Sequence, residues 1–209
     1  MTVLFVCTGN ICRSPLAERL ASRWLGGLVP VGSAGTHAVD GRPMHPLSAA
    51  VLERHGGTAD DFRSRLLTEQ VVGKAALVLT MTEEHRDAVL RLSPRTLHSA
   101  FTLLEAATLL TDGRHSSFAG MALSDRPAAL ARQLAEARAL RGRRRTGPDD
   151  IDDPMGGSAS THDRIGAEVA AAVRSVTDAL RGGAVEDAHT VRMRRLPPVP
   201  AGTHPARMR

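Results

Sequence analysis

Short unbroken apolar runs alternate with amphipathic stretches along most of the chain. Val3-Leu4-Phe5-Val6 has no polar interruption, as expected of a strand covered on both faces. It breaks at Thr8-Gly9-Asn10. Pro15 suits the first turn of a helix, whose apolar positions Leu16, Leu20 and Trp24 recur at helical spacing until Gly26-Gly27. Residues 28–33 read as a second strand, with Ala34-Gly35-Thr36 as the turn after it. A helix is predicted over 46–55, a third buried strand over 75–81 and a helix over 83–92, stopped by Ser93-Pro94. A fourth strand follows at 97–101. Residues 103–110 and 127–140 read as helical, and 141–148 as a loop. The last helix spans 161–180, with Ile165, Val169, Val173 and Val176 on one face, and closes at Gly182-Gly183. Strands alternating with helices predict a parallel, doubly wound sheet. Such sheets bind ligands at the carboxyl ends of their strands, where Cys7 stands.

Composition narrows the class. The 209 residues suit one domain with additions, and no apolar run approaches the ~20 residues of a membrane span. The first residues lack the basic and apolar regions of a signal peptide, so a soluble, cytoplasmic chain is expected. Two cysteines five apart make neither a disulfide framework nor a four-cysteine zinc site. Nine scattered histidines show no ligand spacing such as H-E-x-x-H, so no metal and no cofactor are expected.

The net charge of +5 is unevenly spread. Eight arginines oppose three acidic residues over 111–148, and five oppose two over 182–209, whereas the remaining 143 residues are acidic by three. The chain therefore reads as an acidic body with two basic segments, where a further partner would bind. Aromatic residues make up only 2%, too few for a base-stacking platform, and no nucleic-acid or membrane partner is expected. Residues 182–209 contain Leu196-Pro197-Pro198-Val199-Pro200 and few core positions, the composition of a disordered tail.

The densest chemistry lies in Cys7-Thr8-Gly9-Asn10-Ile11-Cys12-Arg13-Ser14-Pro15, between the first strand and the first helix. A loop of this length can wrap a tetrahedral dianion with its backbone N–H groups turned inward, against the N-terminus of the following helix. Thr8, Gly9, Asn10, Ile11, Cys12, Arg13 and Ser14 are accordingly the expected phosphate-binding residues. Arg13 offers a planar fork that matches two phosphate oxygens. The same positive field favours a thiolate at Cys7, a nucleophile. Ser14 can hydrogen-bond that sulfur, and Asn10 tolerates the left-handed conformation of a tight loop. A nucleotide P-loop is excluded, because no G-x-x-x-x-G-K-[ST] occurs. Phosphoester cleavage also needs a proton donor, for which Asp149, Asp150, Asp152 and Asp153 are candidates. The same carboxylates also suit a loop neutralising Arg143, Arg144 and Arg145, or a magnesium site.

The run VLFVCTGNICRSPLAERL resembles the active-site signature of bacterial-type low-molecular-weight protein tyrosine phosphatases. Ser33-Ala34-Gly35-Thr36, Gly41-Arg42-Pro43, Arg63-Ser64-Arg65, the segment 76–81 with His85, and Asp153-Pro154 follow in the family's order. The resemblance covers about residues 2–110 and 149–182. It implies an α/β, flavodoxin-like three-layer sandwich, a four-stranded parallel sheet flanked by helices, within residues 1–181. An Arg/Ala-rich insertion at about 111–148 and the basic tail 182–209 fall outside it. It also implies hydrolysis of phosphotyrosine in a phosphoprotein through a cysteinyl-phosphate, without cofactor. In that scheme Cys7 is the nucleophile, Arg13 holds the phosphoryl oxygens, and Asp153, just before the proline, is the general acid. Ser33 supports the loop. A second loop cysteine, here Cys12, can pair reversibly with the nucleophile in the family; it fits equally well as a small packing residue.

Departures from the family pattern bear on the substrate. The aromatic residues that usually wall a phosphotyrosine pocket are absent, leaving Ile11, His37 and Met155 as pocket candidates. Phe62 stands where many members carry histidine. Gly156-Gly157 soon after Asp153-Pro154 resembles the bacterial protein-arginine phosphatases, but those usually have Thr where this chain has Ile11, and the bulkier residue favours an aromatic ester. Arsenate reductases of this fold relay a disulfide through distant cysteines, and none follows Cys12. A phosphate-binding scaffold without turnover is the non-enzymatic alternative.

Overall fold

A computed structural model of the chain describes residues 2–112, 118, 120–142 and 149–182. Four strands, β1 (Thr2–Cys7), β2 (Val31–Gly35), β3 (Ala75–Thr80) and β4 (Ala100–Thr102), form one parallel sheet in the order β2-β1-β3-β4. The helices are α1 (Arg13–Trp24), α2 (Pro46–Arg54), α3 (Glu69–Gly73), α4 (Glu83–Leu92), α5 (Leu103–Asp112), α6 (Arg126–Arg141) and α7 (Ala159–Arg181). None of them is long and apolar enough to cross a membrane.

The two-residue period of a strand sorts the core into two faces. Val3, Phe5 and Cys7 of β1 join Leu77 and Leu79 of β3 in one apolar cluster, closed by Leu16 and Leu20 of α1, Leu109 of α5, Leu130 and Leu134 of α6, and Val169 and Val173 of α7. On the other face Leu4, Val6 and Val78 meet Val72 of α3 and Val89 of α4. This is the three-layer α/β sandwich expected, and both faces are covered, which is why the strands read as unbroken apolar runs.

Three local expectations are corrected. β2 begins at Val31 rather than at 28 and runs through Gly35, so 34–36 is not a turn after the strand. Gly26 and Gly27 both adopt positive φ (63° and 71°), swinging the chain so that Val29 plugs the core while Leu28 stays 65% exposed. The fourth strand is only Ala100–Thr102, because Pro94 starts a 3₁₀ turn over Pro94–His98 that leaves Leu97 outside. α3 was not predicted; five residues are too few to display a helical period, and Thr68 caps it by accepting from the Val71 N–H at 3.3 Å.

α6 lies within the Arg-rich segment that no motif covers, yet it is a core helix. Leu130 and Leu134 are fully buried. Arg138 forks onto Glu105 of α5 with two bonds of 2.7 Å, donates to the Ala100 carbonyl at 2.9 Å and lies 3.9 Å above the Phe101 ring. Arg126 donates to the Leu180 carbonyl of α7 at 2.9 Å. The loop predicted over 141–148 starts too early, because α6 runs through Arg141 to its C-cap Gly142; residues 143–148, and 183–209 of the predicted tail, lie outside the described residues.

Leu134→Ala is expected to lower the unfolding free energy by about 2–5 kcal/mol, the range for a truncated core leucine. Denaturant titration measures it, and a loss below about 0.5 kcal/mol, the surface value, would make α6 a peripheral helix.

Candidate active site

The strand order places β1 between β2 and β3, so the chain reverses direction across the sheet beside the carboxyl end of β1. That edge is where open α/β sheets hold ligands. The loop from Cys7 to Arg13 occupies it. The carbonyls of Cys7, Thr8 and Ile11 are turned outward and accept from the N–H groups of Thr36 (2.9 Å), His37 (2.9 Å) and His45 (2.8 Å), and that of Cys12 accepts from Leu16 at 3.3 Å. With every peptide of the loop trans, an outward carbonyl sends the following N–H the opposite way. The N–H groups of Thr8, Gly9, Cys12 and Arg13 therefore converge on the inside of the loop. α1 starts there with no side-chain cap at Cys12 and no acid in its first turn, leaving its N-terminal dipole open to an anion.

Asn10 holds the curve. Its φ of 52° is left-handed, and its amide is fully buried. Nδ2 donates to Ser14 Oγ at 2.9 Å and to Ser33 Oγ at 2.7 Å, while Oδ1 accepts from the Arg65 N–H at 2.9 Å. Ser33 in turn donates to Glu18, whose carboxyl is pushed above the ordinary range by burial. Ser14 Oγ sits 3.0 Å from the buried Cys7 sulfur. Ser33 thus meets the loop through Asn10, as a support, and Glu18 and Arg65 extend the same network. The end of β2 presses against the loop so closely that a Cβ on Gly35 would stand 2.4 Å from the Thr8 carbonyl oxygen.

Arg13 is 4% exposed. Its Nη1 donates to the Ile151 carbonyl at 2.8 Å and its Nη2 to Asp153 Oδ2 at 2.6 Å. Nε is buried without a partner, a donor with capacity for an incoming anion. Ile151 itself is fully buried and donates its N–H to Met81 O at 2.8 Å, so the acid-bearing loop is stitched to the end of β3. Three of the four carboxylates of that loop are distinguished by their partners. Asp150 accepts from Glu83 N at 2.7 Å, Asp152 pairs with Arg164 at 3.1 Å, and Asp153 faces Arg13. Any role of Arg143, Arg144 and Arg145 as their counter-charges lies outside the described residues.

His85 bridges the loop to α4, with Nε2 2.9 Å from Thr8 Oγ1 and Nδ1 2.7 Å from Thr82 Oγ1. Burial, and then the charge of Arg13, hold its pKa down at about 4. Of the pocket candidates, Ile11 is half-buried on the loop, His37 is exposed beside Thr8, and Met155 is 51% exposed with its sulfur 3.3 Å from Cys12 Sγ. Cys12 is an unpaired, buried thiol, pushed up to about 11 mainly by desolvation. Phe62 is buried, with Arg19 above its ring at 5.6 Å. Of the motif residues outside the loop, Ser33, Thr36, Arg65 and His85 are all joined to it by the geometry. Asn10's reach to Arg65 and the Ile151 carbonyl bond had no sequence signal, since both use backbone groups.

The family model described as low molecular weight phosphotyrosine protein phosphatase matches residues 2–110. The chain is 38% identical over 104 residues to the probable low molecular weight protein-tyrosine-phosphatase EpsP of Ralstonia nicotianae, covering 50% of this chain and 71% of that protein. It is also 38% identical over 112 residues to a protein-arginine-phosphatase of Bacillus subtilis, covering 52% and 73%. Among solved structures, a mutant of YwlE from Bacillus subtilis is similar with a TM-score of 0.63 at 28% identity, over 87% of this chain and 99% of that one.

The depressed His85 value has a consequence for stability. An unfolded histidine takes up its proton near pH 6.5, whereas folded His85 stays neutral down to about 4. The stability this group contributes is complete above 6.5 and is lost as pH falls towards 4. Unfolding free energies measured across that window should fall less steeply for His85→Gln than for the unsubstituted chain; equal slopes would refute the assignment.

Proposed function

The chain belongs to the low molecular weight phosphotyrosine protein phosphatase family, and from that premise we propose that it cleaves phosphotyrosine in phosphoproteins through a cysteinyl-phosphate. The observation that carries this reading is one concave loop that gathers a buried cysteine sulfur, inward N–H groups and a buried guanidinium with an unpartnered Nε. Such fixed donors stabilise the equatorial oxygens of a transferring phosphoryl group without reorganising.

In the proposed reaction the Cys7 thiolate attacks phosphorus in line with the leaving oxygen. Ser14 Oγ, 3.0 Å from the sulfur, stabilises the thiolate before attack and again when the sulfur departs. The phosphate dianion competes with Asp153 for Arg13, taking its Nε and Nη2 donors, and so releases the carboxyl to face the leaving group. Once released from Arg13, the Asp153 carboxylate takes up a proton from solvent and gives it to the tyrosyl oxygen as the P–O bond breaks. Its carboxylate then removes a proton from the water that attacks the phosphocysteine, and inorganic phosphate leaves. Neutral His85 keeps Thr8 in place throughout. A reaction that needs a free Cys7 thiolate suits a reducing cytoplasm.

Gly156-Gly157 and the protein-arginine-phosphatase relative support a second reading, phosphoarginine. The bulk of Ile11 on the loop favours the aromatic ester. Steady-state kinetics on phosphotyrosine, phosphoserine and phosphoarginine peptides decide it. We expect the highest kcat/KM on phosphotyrosine, with Ile11→Thr shifting the ratio towards phosphoarginine; a phosphoarginine preference in the unsubstituted chain would install the second reading. Cys7→Ser should abolish turnover and retain phosphate binding. Asp153→Asn should lower kcat on phosphotyrosine by about 10²–10⁴, the usual scale of acid catalysis, with a smaller loss on p-nitrophenyl phosphate, whose leaving group needs its proton less. Full activity in either variant would dismiss the roles given.

We assign the reaction to residues 1–181 and none of its chemistry to 182–209. A chain ending at Gly182 should hydrolyse p-nitrophenyl phosphate at the full-length rate; a folded but inactive truncation would make the tail part of the site.

A further inference from the structure

We propose that Cys12, His45 and His162 form a binding site for one zinc ion behind the phosphate loop, separate from the catalytic sulfur. The three come from the loop, the N-cap of α2 and the first turn of α7, yet one ligand atom from each lies within 4.8 Å of the others. A thiolate and two imidazoles are a zinc donor set, and three protein ligands leave the fourth position for water. Tetrahedral coordination at ordinary Zn–S and Zn–N lengths needs donors roughly 3.3–3.6 Å apart, so the groups close in by about 1 Å on binding.

The surroundings favour coordination over an ordinary packing role. Cys12 is 3% and His162 2% exposed. The two imidazole rings stack with centroids 4.8 Å apart and planes 12° from parallel, so one ring turns about its χ2 on binding to bring both in-plane lone pairs onto the ion. Ser48 Oγ lies 3.0 Å from His162 Nδ1; coordination selects the tautomer with the ring proton on Nδ1, over donation to the neighbouring Pro154 carbonyl, and so makes the Nε2 lone pair available. Nε2 is buried and has no well-formed hydrogen bond among the described residues. The Cys12 thiol donates only weakly, to Met155 Sδ at 3.3 Å, a contact that coordination gives up, while Ser48 orients the His162 ring. The ring of His45 is held by one long bond, from the Leu47 N–H to Nδ1 at 3.3 Å; coordination through Nε2 moves its proton to Nδ1 and releases that cap.

Binding is a proton exchange. The Cys12 S–H bond breaks, a Zn–S bond forms, and the proton goes to solvent, with no change of oxidation state. The ion ties the loop, α2 and α7 together and withdraws the Cys12 sulfur from any reaction with Cys7.

The test titrates Co²⁺, as a spectroscopic probe, and then Zn²⁺ into the reduced full-length chain carrying Cys7→Ser, so that the catalytic sulfur cannot ligate. We expect one equivalent of Co²⁺ to give a thiolate-to-cobalt charge-transfer band that Zn²⁺ displaces, together with a Zn²⁺-dependent rise in Tm. Cys12→Ser should remove the band. His45→Ala and His162→Ala should each weaken binding by more than the roughly 10–100-fold expected of the orienting variant Ser48→Ala. Metal-free Tm values show which variants fold; His45, only half-buried, carries the test if His162→Ala does not. No band, a band that survives loss of either histidine, or binding that requires Cys7 would overturn the site.

Discussion

A guanidinium cannot be buried without counter-charge and acceptors, and Arg13 is 4% exposed. Withdrawing such an ion from water costs several kcal/mol even after relaxation, which only close hydrogen-bonded partners offset. Here the partners are the Ile151 carbonyl and the Asp153 carboxylate, both on a segment about 140 residues further along. Satisfying Arg13 therefore docks that segment over the loop. Ile151 secures the docking from beneath by burying its side chain and bonding to the end of β3. The carboxylate occupies the donor that the family chemistry assigns to phosphate. In the proposed reaction, substrate binding and release of Asp153 become one event, because the arriving dianion replaces the carboxylate as the countercharge.

The loop around Arg13 is held in a conformation that sequence-local forces alone would not choose. Four carbonyls face away from the centre and are satisfied by residues 16, 36, 37 and 45, so the concavity is built from outside. Asn10 supplies the left-handed residue and ties Ser14, Ser33 and the Arg65 backbone into one network. The bare Cα of Gly35 lets β2 approach close enough for those bonds to form. Removing any one of these leaves buried polar groups unmatched, which costs more than the bond itself contributes. Rigidity of the anion site is thus a property of β1, β2 and α1 packed together.

How much of this was legible follows from what kind of group does each job. β1, its loop and α1 were readable, because a strand covered on both faces leaves an unbroken apolar run and the Cys-x5-Arg spacing falls directly after it. Asp153 was separable from Asp149, Asp150 and Asp152 only by resemblance, since four carboxylates in five positions look alike until their partners are known. The Ile151 carbonyl and the Arg65 N–H were invisible, because backbone groups exist at every residue. α3 was too short to show a period. The start of β2 was misjudged because paired left-handed glycines, rather than hydrophobicity, decide that Val29 and not Leu28 enters the core. The proposed set of Cys12, His45 and His162 had no sequence signal, because its donors lie far apart in the chain, one on each of three elements, rather than in closely spaced pairs.

The arginine count also changes meaning once the partners are known. A segment with eight arginines suggests an electrostatic footprint for an acidic partner. Yet Arg138 is forked onto Glu105, stacked on Phe101 and bonded to the Ala100 carbonyl, while Arg126 closes the end of α7. Those charges are committed to holding α6 against α5 and α7, and a guanidinium with its donors engaged in this way has little left for a distant phosphate. The work of α6 is apolar, through Leu130 and Leu134, with arginine serving as its long-armed clamp. The anion chemistry proposed for the chain therefore depends on Arg13, which stands at the loop with its buried Nε left without a protein partner.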